Sequence, residues 1–375
     1  MDLDICGLGA VSSIGRDPET IHDALCVGRS GLGPLRVYDT TKFRARTAYE
    51  IDDRAAPGKD EPGRSTKWLV DAISQALEGA GLTELPENCP VLVGTTHREQ
   101  RSMELWWRGE ADADFADLHF GTAIRERFGT VETHTFANAC AASLTVLGLA
   151  ADLIADGECD TVVVAGTDGL TEATFGIFDR VQSGVPGEVR PFAKERHGMM
   201  MGEGASAVVL RRPGHGGPVA ARLRSVALNC DADHPTVPEP GSVARVVRQA
   251  HDRAGIGPDQ IDLIVLHGTG TVRNDLVETG MLHDVFAGAK PALTAIKAST
   301  GHTLGGSGLL SLIVAAISLR KRLAPPILGL AEPMDEAEGL DLVRDEPRDG
   351  EFRIAQVDAF GLSGINAVAI LEAAS

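Results

Sequence analysis

The chain has 375 residues, a formal net charge of −18, 43% hydrophobic residues and 23% charged residues. That balance excludes disorder as the default and disfavours nucleic acid or anionic lipid as the main partner, since both recruit cationic footprints. The length accommodates two or three domains, or one fused double unit.

In chain order, the N-terminus Met1-Asp-Leu-Asp-Ile-Cys6 lacks a basic start followed by an apolar run, so no secretion signal is read. Six cysteines, at 6, 26, 89, 140, 159 and 230, form no CxxC pair and no metal-ligand spacing. A reduced, cytoplasmic protein with mostly buried thiols is expected. Gly7-x-Gly9 lacks the third glycine of a dinucleotide fingerprint, so no nucleotide cofactor is supported. A helical pattern over 66–80 precedes a β-branched run at 90–94, and an apolar helix over 141–155 precedes a strand at 161–166. After the Gly/Pro-rich stretch 211–218 comes a second helical pattern at 242–254. A strand at 261–266 and an apolar helix over 308–319 follow.

These signals predict an α/β layered chain that contains itself twice. AISQALEGAGL (72–82) resembles VVRQAHDRAGI (246–256), and LTVLGLAADLI (144–154) resembles GLLSLIVAAIS (308–318). The expected halves are 1–212 and 213–375. Helices 141–155 and 308–319 are apolar nearly all round, which predicts burial at the meeting of the halves. Leu304 to Leu319 reads as too short and glycine-interrupted to span a bilayer.

The chemistry converges at the starts of those two helices. Cys140, in Asn138-Ala-Cys-Ala-Ala142, faces free N–H groups and the positive end of a helix dipole. Both are expected to favour thiolate. His267 ends a strand in His-Gly-Thr-Gly-Thr271, and His302 lies in Lys297-Ala-Ser-Thr-Gly-His302. Histidines 22, 97, 119, 134, 215, 234, 251 and 283 lack such context and read as surface or satisfied residues.

With these motifs in order, the chain resembles the β-ketoacyl-acyl-carrier-protein synthases, or ketosynthases, over nearly its whole length. Gly7-Leu-Gly-Ala-Val-Ser12, Asn138-Ala-Cys-Ala-Ala142 and Arg190-Pro-Phe192 carry the resemblance. So do Gly202-Glu-Gly-Ala205, His267-Gly-Thr-Gly-Thr271, Lys297 with Gly301-His302, and Phe360-Gly361 with Gly364 and Asn366. The resemblance implies a thiolase-like fold, with two duplicated α/β halves in a five-layer α-β-α-β-α sandwich. It implies a dimer, homomeric or with a ketosynthase-like subunit, and an acyl carrier protein presenting substrates on phosphopantetheine, with no permanently bound cofactor and no metal.

The resemblance also implies roles. Cys140 would carry the acyl group, and the backbone N–H groups of Cys140 and Leu362 would form the oxyanion hole. His267 and His302 would assist decarboxylation of a malonyl unit. Lys297 would orient His302, and Thr269 and Thr271 would bond the pantetheine arm. Met199, Phe360 and Leu362 would shape the substrate site. A basic landing patch for the carrier is expected among Lys42, Arg44, Arg46, Arg64 and Lys67.

Four positions depart from the family pattern. Leu362 and Ser363 stand in a loop that usually reads Gly-Phe-Gly-Gly. Met199 replaces a phenylalanine, two residues after His197 in place of an aspartate. Ser311 replaces a glutamate, so the lysine–glutamate partnership behind the histidines is expected to be absent. Asp358-Ala359 replaces Asn-Ser. The expected outcome is a condensing enzyme of specialised, polyketide-type metabolism with a divergent substrate. The competing readings are an acyltransferase or cyclase without decarboxylation, and a pocket-shaping partner subunit.

Overall fold

The structure, a computed structural model, describes residues 2–54, 59–129, 132–182, 184–234 and 236–374. Ten strands form one sheet. The first five are β1 (Leu3–Ser12), β2 (Val91–Thr95), β3 (Thr133–Ala137), β4 (Thr161–Asp168) and β5 (Gly204–Arg211). The second five are β6 (Ala221–Cys230), β7 (Leu263–Val265), β8 (Ala292–Thr294), β9 (Ile354–Phe360) and β10 (Ile365–Ala373). Their order is β8-β7-β9-β10-β6-β1-β5-β4-β2-β3.

Each half repeats the other, strand for strand. β1 pairs antiparallel with β5 and β5 with β4, while β4–β2 and β2–β3 are parallel. In the second half, β6–β10 and β10–β9 are antiparallel, and β9–β7 and β7–β8 are parallel. The halves join where Leu3–Ile5 of β1 meets Ala221–Leu223 of β6.

Seven helices matter here: α1 (Arg64–Gly79), α2 (Ala142–Ala155), α3 (Glu172–Val181), α4 (Pro240–Ala254), α5 (Val272–Val285), α6 (Lys297–Thr300) and α7 (Ser307–Lys321). One core cluster unites α2 and α7 with inner residues of both half-sheets, Val162 and Val164 on one side and Ala355 and Val357 on the other. A second packs α1 against β4 and β5, and a third packs α4 and α5 against β7 and β10. The layers therefore run α1, half-sheet, α2/α7, half-sheet, α4/α5, as a five-layer sandwich.

The two central helices are buried as their composition demands. Every residue of α7 from Ser307 to Leu319 is buried. Leu304–Lys321 is long and apolar enough, by composition alone, to cross a membrane, yet it lies inside the fold. Gly7 and Gly9 serve packing and not a phosphate. A Cβ at Gly7 would stand 1.8 Å from the Ala76 carbonyl oxygen, and one at Gly9 1.9 Å from that of Ala72. Only hydrogen at both positions lets α1 settle on β1.

Candidate active site

Cys140 sits in a 3-10 turn, Ala139–Ala141, that leads into α2. Ala139 adopts a left-handed φ of 51°, which turns the chain sharply enough to bring the thiol to the layer boundary. The backbone N–H groups of Leu362 and of Cys140 itself act on the sulfur and favour its charged form. A Cβ at Gly361 would stand a tight 3.0 Å from Ile365 O and in ordinary contact with Ala141 N and Cys140 N. The expected thiolate is not found. Burial pushes the Cys140 thiol up to about 11, outweighing the Leu362 N–H and the Lys297 charge, and the Asp168 carboxylate pushes the same way. The helix start gives directed donors, and desolvation decides the protonation state.

His267 and His302 converge with Cys140 on one cavity of about 510 Å³. Their rings meet edge to face, centroids 5.4 Å apart, and Phe360 stands 5.9 Å from His267. Burial drives both imidazoles well below their ordinary pKa, helped by the Lys297 charge. Each is therefore neutral near pH 7, with one donor and one acceptor nitrogen. Nδ1 of His267 and both ring nitrogens of His302 have no hydrogen-bond partner among the described residues, although they are buried. Unpartnered buried polar atoms facing a cavity suit a ligand that supplies the partners. His302 does not open α7 directly. It lies in an isolated bridge, its N–H donating to Met200 O at 2.8 Å and its carbonyl accepting from Gly202 N at 2.9 Å.

The Lys297 expectation needs correction. Lys297 is buried on α6, and its Nζ donates to the His267 carbonyl, with no bond to His302. A buried carboxyl group does act on Lys297, though not within ion-pair distance among the described residues. Glu278 on α5 is fully buried, accepts the N–H groups of His267 (2.5 Å) and Gly268 (2.9 Å), and its charge acts on Lys297. The carboxylate comes from a different helix than the one carrying Ser311. Its signal was in the sequence, since Asp275 and Glu278 lie three apart on one face of the helix after the His267 motif. Asp168 was also missed. It accepts from Thr95 Oγ1, from the backbone N–H groups of Thr96 and His97, and across the halves from Gly305 N.

Thr269 and Thr271 line the cavity but are also bonded to their own turn, their hydroxyls 3.0 Å apart, with Thr271 capping α5 through Asn274 N. Met199, Phe360 and Leu362 line the cavity as expected, with Leu362 the most exposed of the three. Gln182 fixes Met199 by accepting its N–H at 2.7 Å. Ser363 has a φ of 68°, so the serine in the loop does sit in left-handed space. Among the histidines set aside, His22 and His251 are buried and bonded, whereas Nε2 of His97 is buried without a partner among the described residues. Arg64 leaves the landing patch, because it is sunk in an ion cluster with Asp53 (2.6 Å), Glu203 (3.1 Å) and Asp60 (3.3 Å). Lys42 pairs with Glu172 at 3.1 Å, Arg46 bonds Thr40 O, and Lys67 is exposed. Arg44 donates to the carbonyl of Gln182, a cavity-lining residue, and so borders the mouth.

Two family models cover the chain, the β-ketoacyl synthase N-terminal domain over residues 2–214 and the C-terminal domain over 220–331. The chain belongs to the β-ketoacyl synthase family of condensing enzymes. It is 28% identical to 3-oxoacyl-[acyl-carrier-protein] synthase 2 of Coxiella burnetii, across 98% of this chain and 97% of that one. It is 26% identical to nodulation protein E of Rhizobium meliloti, across 97% of each. Among solved structures, the ishigamide ketosynthase/chain length factor matches with a TM-score of 0.92 and 32% identity, covering 100% of this chain and 99% of that one.

Proposed function

We propose that this ketosynthase takes an acyl group from a carrier-protein phosphopantetheine onto Cys140 and condenses it with a malonyl-type thioester. The observation that carries the reading is the single cavity shared by one cysteine and two neutral, unpartnered histidines. Because the resting group is a thiol, a cavity imidazole takes the proton as sulfur attacks the incoming thioester carbonyl. The carrier thiol leaves, and the N–H groups of Cys140 and Leu362 hold the oxyanion. In the second half-reaction the malonyl carboxylate departs as CO2, and its bonding electron pair forms an enolate. The N–H groups of His267 and His302 stabilise the enolate oxygen without needing to be cationic. The enolate carbon attacks the acyl thioester, Cys140 leaves as thiolate, and a β-ketoacyl thioester remains on the carrier. Lys297 acts by holding the main chain of His267.

The cavity mouth suits an anionic arm. In a chain of net charge −18, no carboxylate lines this cavity among the described residues, while Arg273 and His197 do. Exposed Ile177, Val181, Val272 and Leu362 line the same opening. Thr269 and Thr271 are placed to exchange their mutual bond for the amides of a pantetheine chain. The reading includes a cytoplasmic setting, a polyketide-type product, and a division at residues 212/213 into two halves of common origin. It also includes a second ketosynthase-like subunit, identical or not, on the edge strand β3, which pairs on only one side among the described residues.

The test is to incubate the protein with acyl-loaded carrier protein and weigh the intact chain, then add malonyl-carrier protein and measure CO2. The expected result is one acyl mass gained, absent in Cys140→Ala, followed by CO2 release. No gain, or a gain that persists in Cys140→Ala, rejects the reading.

A further inference from the structure

Beside the cavity that holds Cys140 lies a second pocket that the condensation chemistry does not use, and a wall of three side chains separates the two. Phe178, Gln182 and Met199 line both. The second pocket is bounded further by Phe175, Pro186, Met200 and Met201, and by Ala45 and Thr47 from the N-terminal segment. Its volume is about 20 Å³, room for one water and for no alkyl chain. The carboxylate at its edge is already bonded, since Asp179 accepts the N–H groups of Arg44 at 3.0 Å and Ala45 at 2.8 Å. What otherwise bounds the pocket is mostly hydrocarbon and thioether, packed with Tyr38, Phe43 and Leu304 in one buried cluster.

Gln182 holds this wall together. It caps the C-terminal end of α3, where its Nε2 donates to the Phe178 carbonyl at 3.1 Å while its Oε1 accepts the Met199 N–H at 2.7 Å. Its main-chain carbonyl accepts from Arg44 Nη2 at 3.0 Å. One residue therefore joins the end of α3, the 197–199 segment and the 44–47 segment. Gly198 lets the amide lie there, since a Cβ at that position would stand 2.0 Å from Gln182 Oε1. The panels of the wall are adaptable. Three of the chain's seven methionines stand in a row at 199–201, and methionine, with three rotatable bonds, repacks readily. The wall is closed by the two hydrogen bonds of one amide, not by stiffness of the side chains that form it.

We propose that Gln182 is a positioning residue that keeps the second pocket shut, and that this closure limits the length of the acyl chain carried on Cys140. The inference rests on the condensing reading for its substrate class. With the amide bonds made, an acyl group on Cys140 shares the cavity of about 510 Å³ with the incoming carrier arm, so short chains fit beside the arm and long ones compete with it. With the amide bonds lost, Met199 is free to swing and the methionine-lined pocket joins the cavity. An apolar chain then has a place that does not compete with the arm, and each methylene buried there gains hydrophobic free energy. The wild type is accordingly selective for short acyl groups.

The test treats the full chain with N-alkyl iodoacetamides that have ethyl, hexyl or dodecyl tails ending in a diazirine. The Cys140 sulfur displaces iodide and its proton leaves to buffer, so labelling needs neither carrier protein nor condensation. It is read at the Cys140 peptide, because Cys230 is exposed as well. In the wild type, labelling should slow from ethyl to dodecyl, and light should crosslink the dodecyl tail to mouth residues such as Val237 and Val272. Gln182→Met keeps the bulk and removes both amide bonds. There the dodecyl-to-ethyl rate ratio should rise about tenfold or more, and the crosslinks should move to Thr47 and Pro186 behind the wall. A wild-type dodecyl tail that already crosslinks at Thr47 or Pro186 overturns the proposal, and that measurement needs no variant to fold. Uniform slowing of all probes with unmoved crosslinks, the signature of a merely structural role, overturns it too. So does a change found in Gln182→Ala but not in Gln182→Met, which assigns the effect to bulk. If ratio and crosslinks change as expected while no acyl mass is gained from acyl-loaded carrier protein, the wall stands and the condensing reading fails instead.

Discussion

Two turns, one per half, lead into the paired central helices, and they show how a duplicated fold makes one site rather than two. Ala139-Cys140-Ala141 enters α2, and Leu304-Gly305-Gly306 enters α7. Both begin with a left-handed residue, Ala139 at φ 51° and Leu304 at φ 48°. The two turns share this backbone device and differ in the side chain at the next position. In the first half that position is Cys140, with Leu362 N–H against its sulfur. In the second half it is Gly305, where a Cβ would lie 2.5 Å from the main chain of Thr95. A similar asymmetry governs the carboxylates. Each half uses one buried acid to take two successive N–H groups after its second strand, Asp168 for Thr96 and His97, Glu278 for His267 and Gly268. One of those turns is a buttress, and the other presents its imidazole, His267, to the cavity.

The largest expected effect tests whether the second half supplies chemistry to a nucleophile held by the first. His302→Ala should still gain an acyl group on Cys140 but release CO2 about 10²–10³ times more slowly, the usual loss for one donor to a developing oxyanion. Intact mass and CO2 measurements on the same sample separate the two steps. Unaltered CO2 release would remove the role assigned to His302. Next in size, Gly305→Ala tests the empty position itself. Its methyl has to displace the Thr95 backbone, and overpacking of this kind costs about 1–3 kcal/mol. Denaturant titration should show that loss, whereas Ala141→Gly, on the nucleophile's turn, should not clash with anything. Wild-type stability in Gly305→Ala would mean that the two turns are not constrained as described.

Much of this was legible in the sequence because it is periodic or local. The all-round apolar helices α2 and α7, the repeat behind strand order, and the glycine-bounded motifs around Cys140, His267 and His302 are all written in short stretches. What was not legible depends on burial and on contacts between distant elements. The dipole argument for a Cys140 thiolate is sound for an exposed helix start and fails here because the sulfur is desolvated. Lys297 sits five residues before His302, yet it reaches a carbonyl thirty residues upstream. Arg64 reads as a surface cation until Asp53, Asp60 and Glu203 close around it.

A smaller effect sharpens the electrostatic side of the comparison. The Asp168 charge raises the Cys140 thiol and the Lys297 charge lowers it. Asp168→Asn should therefore move the midpoint of iodoacetamide alkylation to lower pH, giving faster labelling at pH 8. Lys297→Met should move it to higher pH, giving slower labelling. Mass spectrometry against pH reads both, and shifts of the same sign would contradict the charge assignment.

The smallest effect concerns the loop that closes the site from the second half. Ser363 holds φ at 68° between Leu362, whose N–H reaches the sulfur, and Gly364, whose carbonyl accepts from Asp231 N at 2.8 Å. A non-glycine residue in left-handed space stores about 1 kcal/mol, maintained because its neighbours are pinned on both sides. Ser363→Gly removes that strain without touching either pinned neighbour, so the folded protein should gain up to about 1 kcal/mol in a denaturant titration. Glycine also widens the unfolded ensemble, which offsets part of the gain. The decisive readout is therefore local. Exchange across 360–365 should quicken in Ser363→Gly even as global stability holds or rises, and acyl loading should tolerate bulkier chains. Slower exchange there would mean that serine, despite its strained φ, is not what limits the loop, and the rigidity would then belong to the Asp231 and Asn366 bonds that hold its far end.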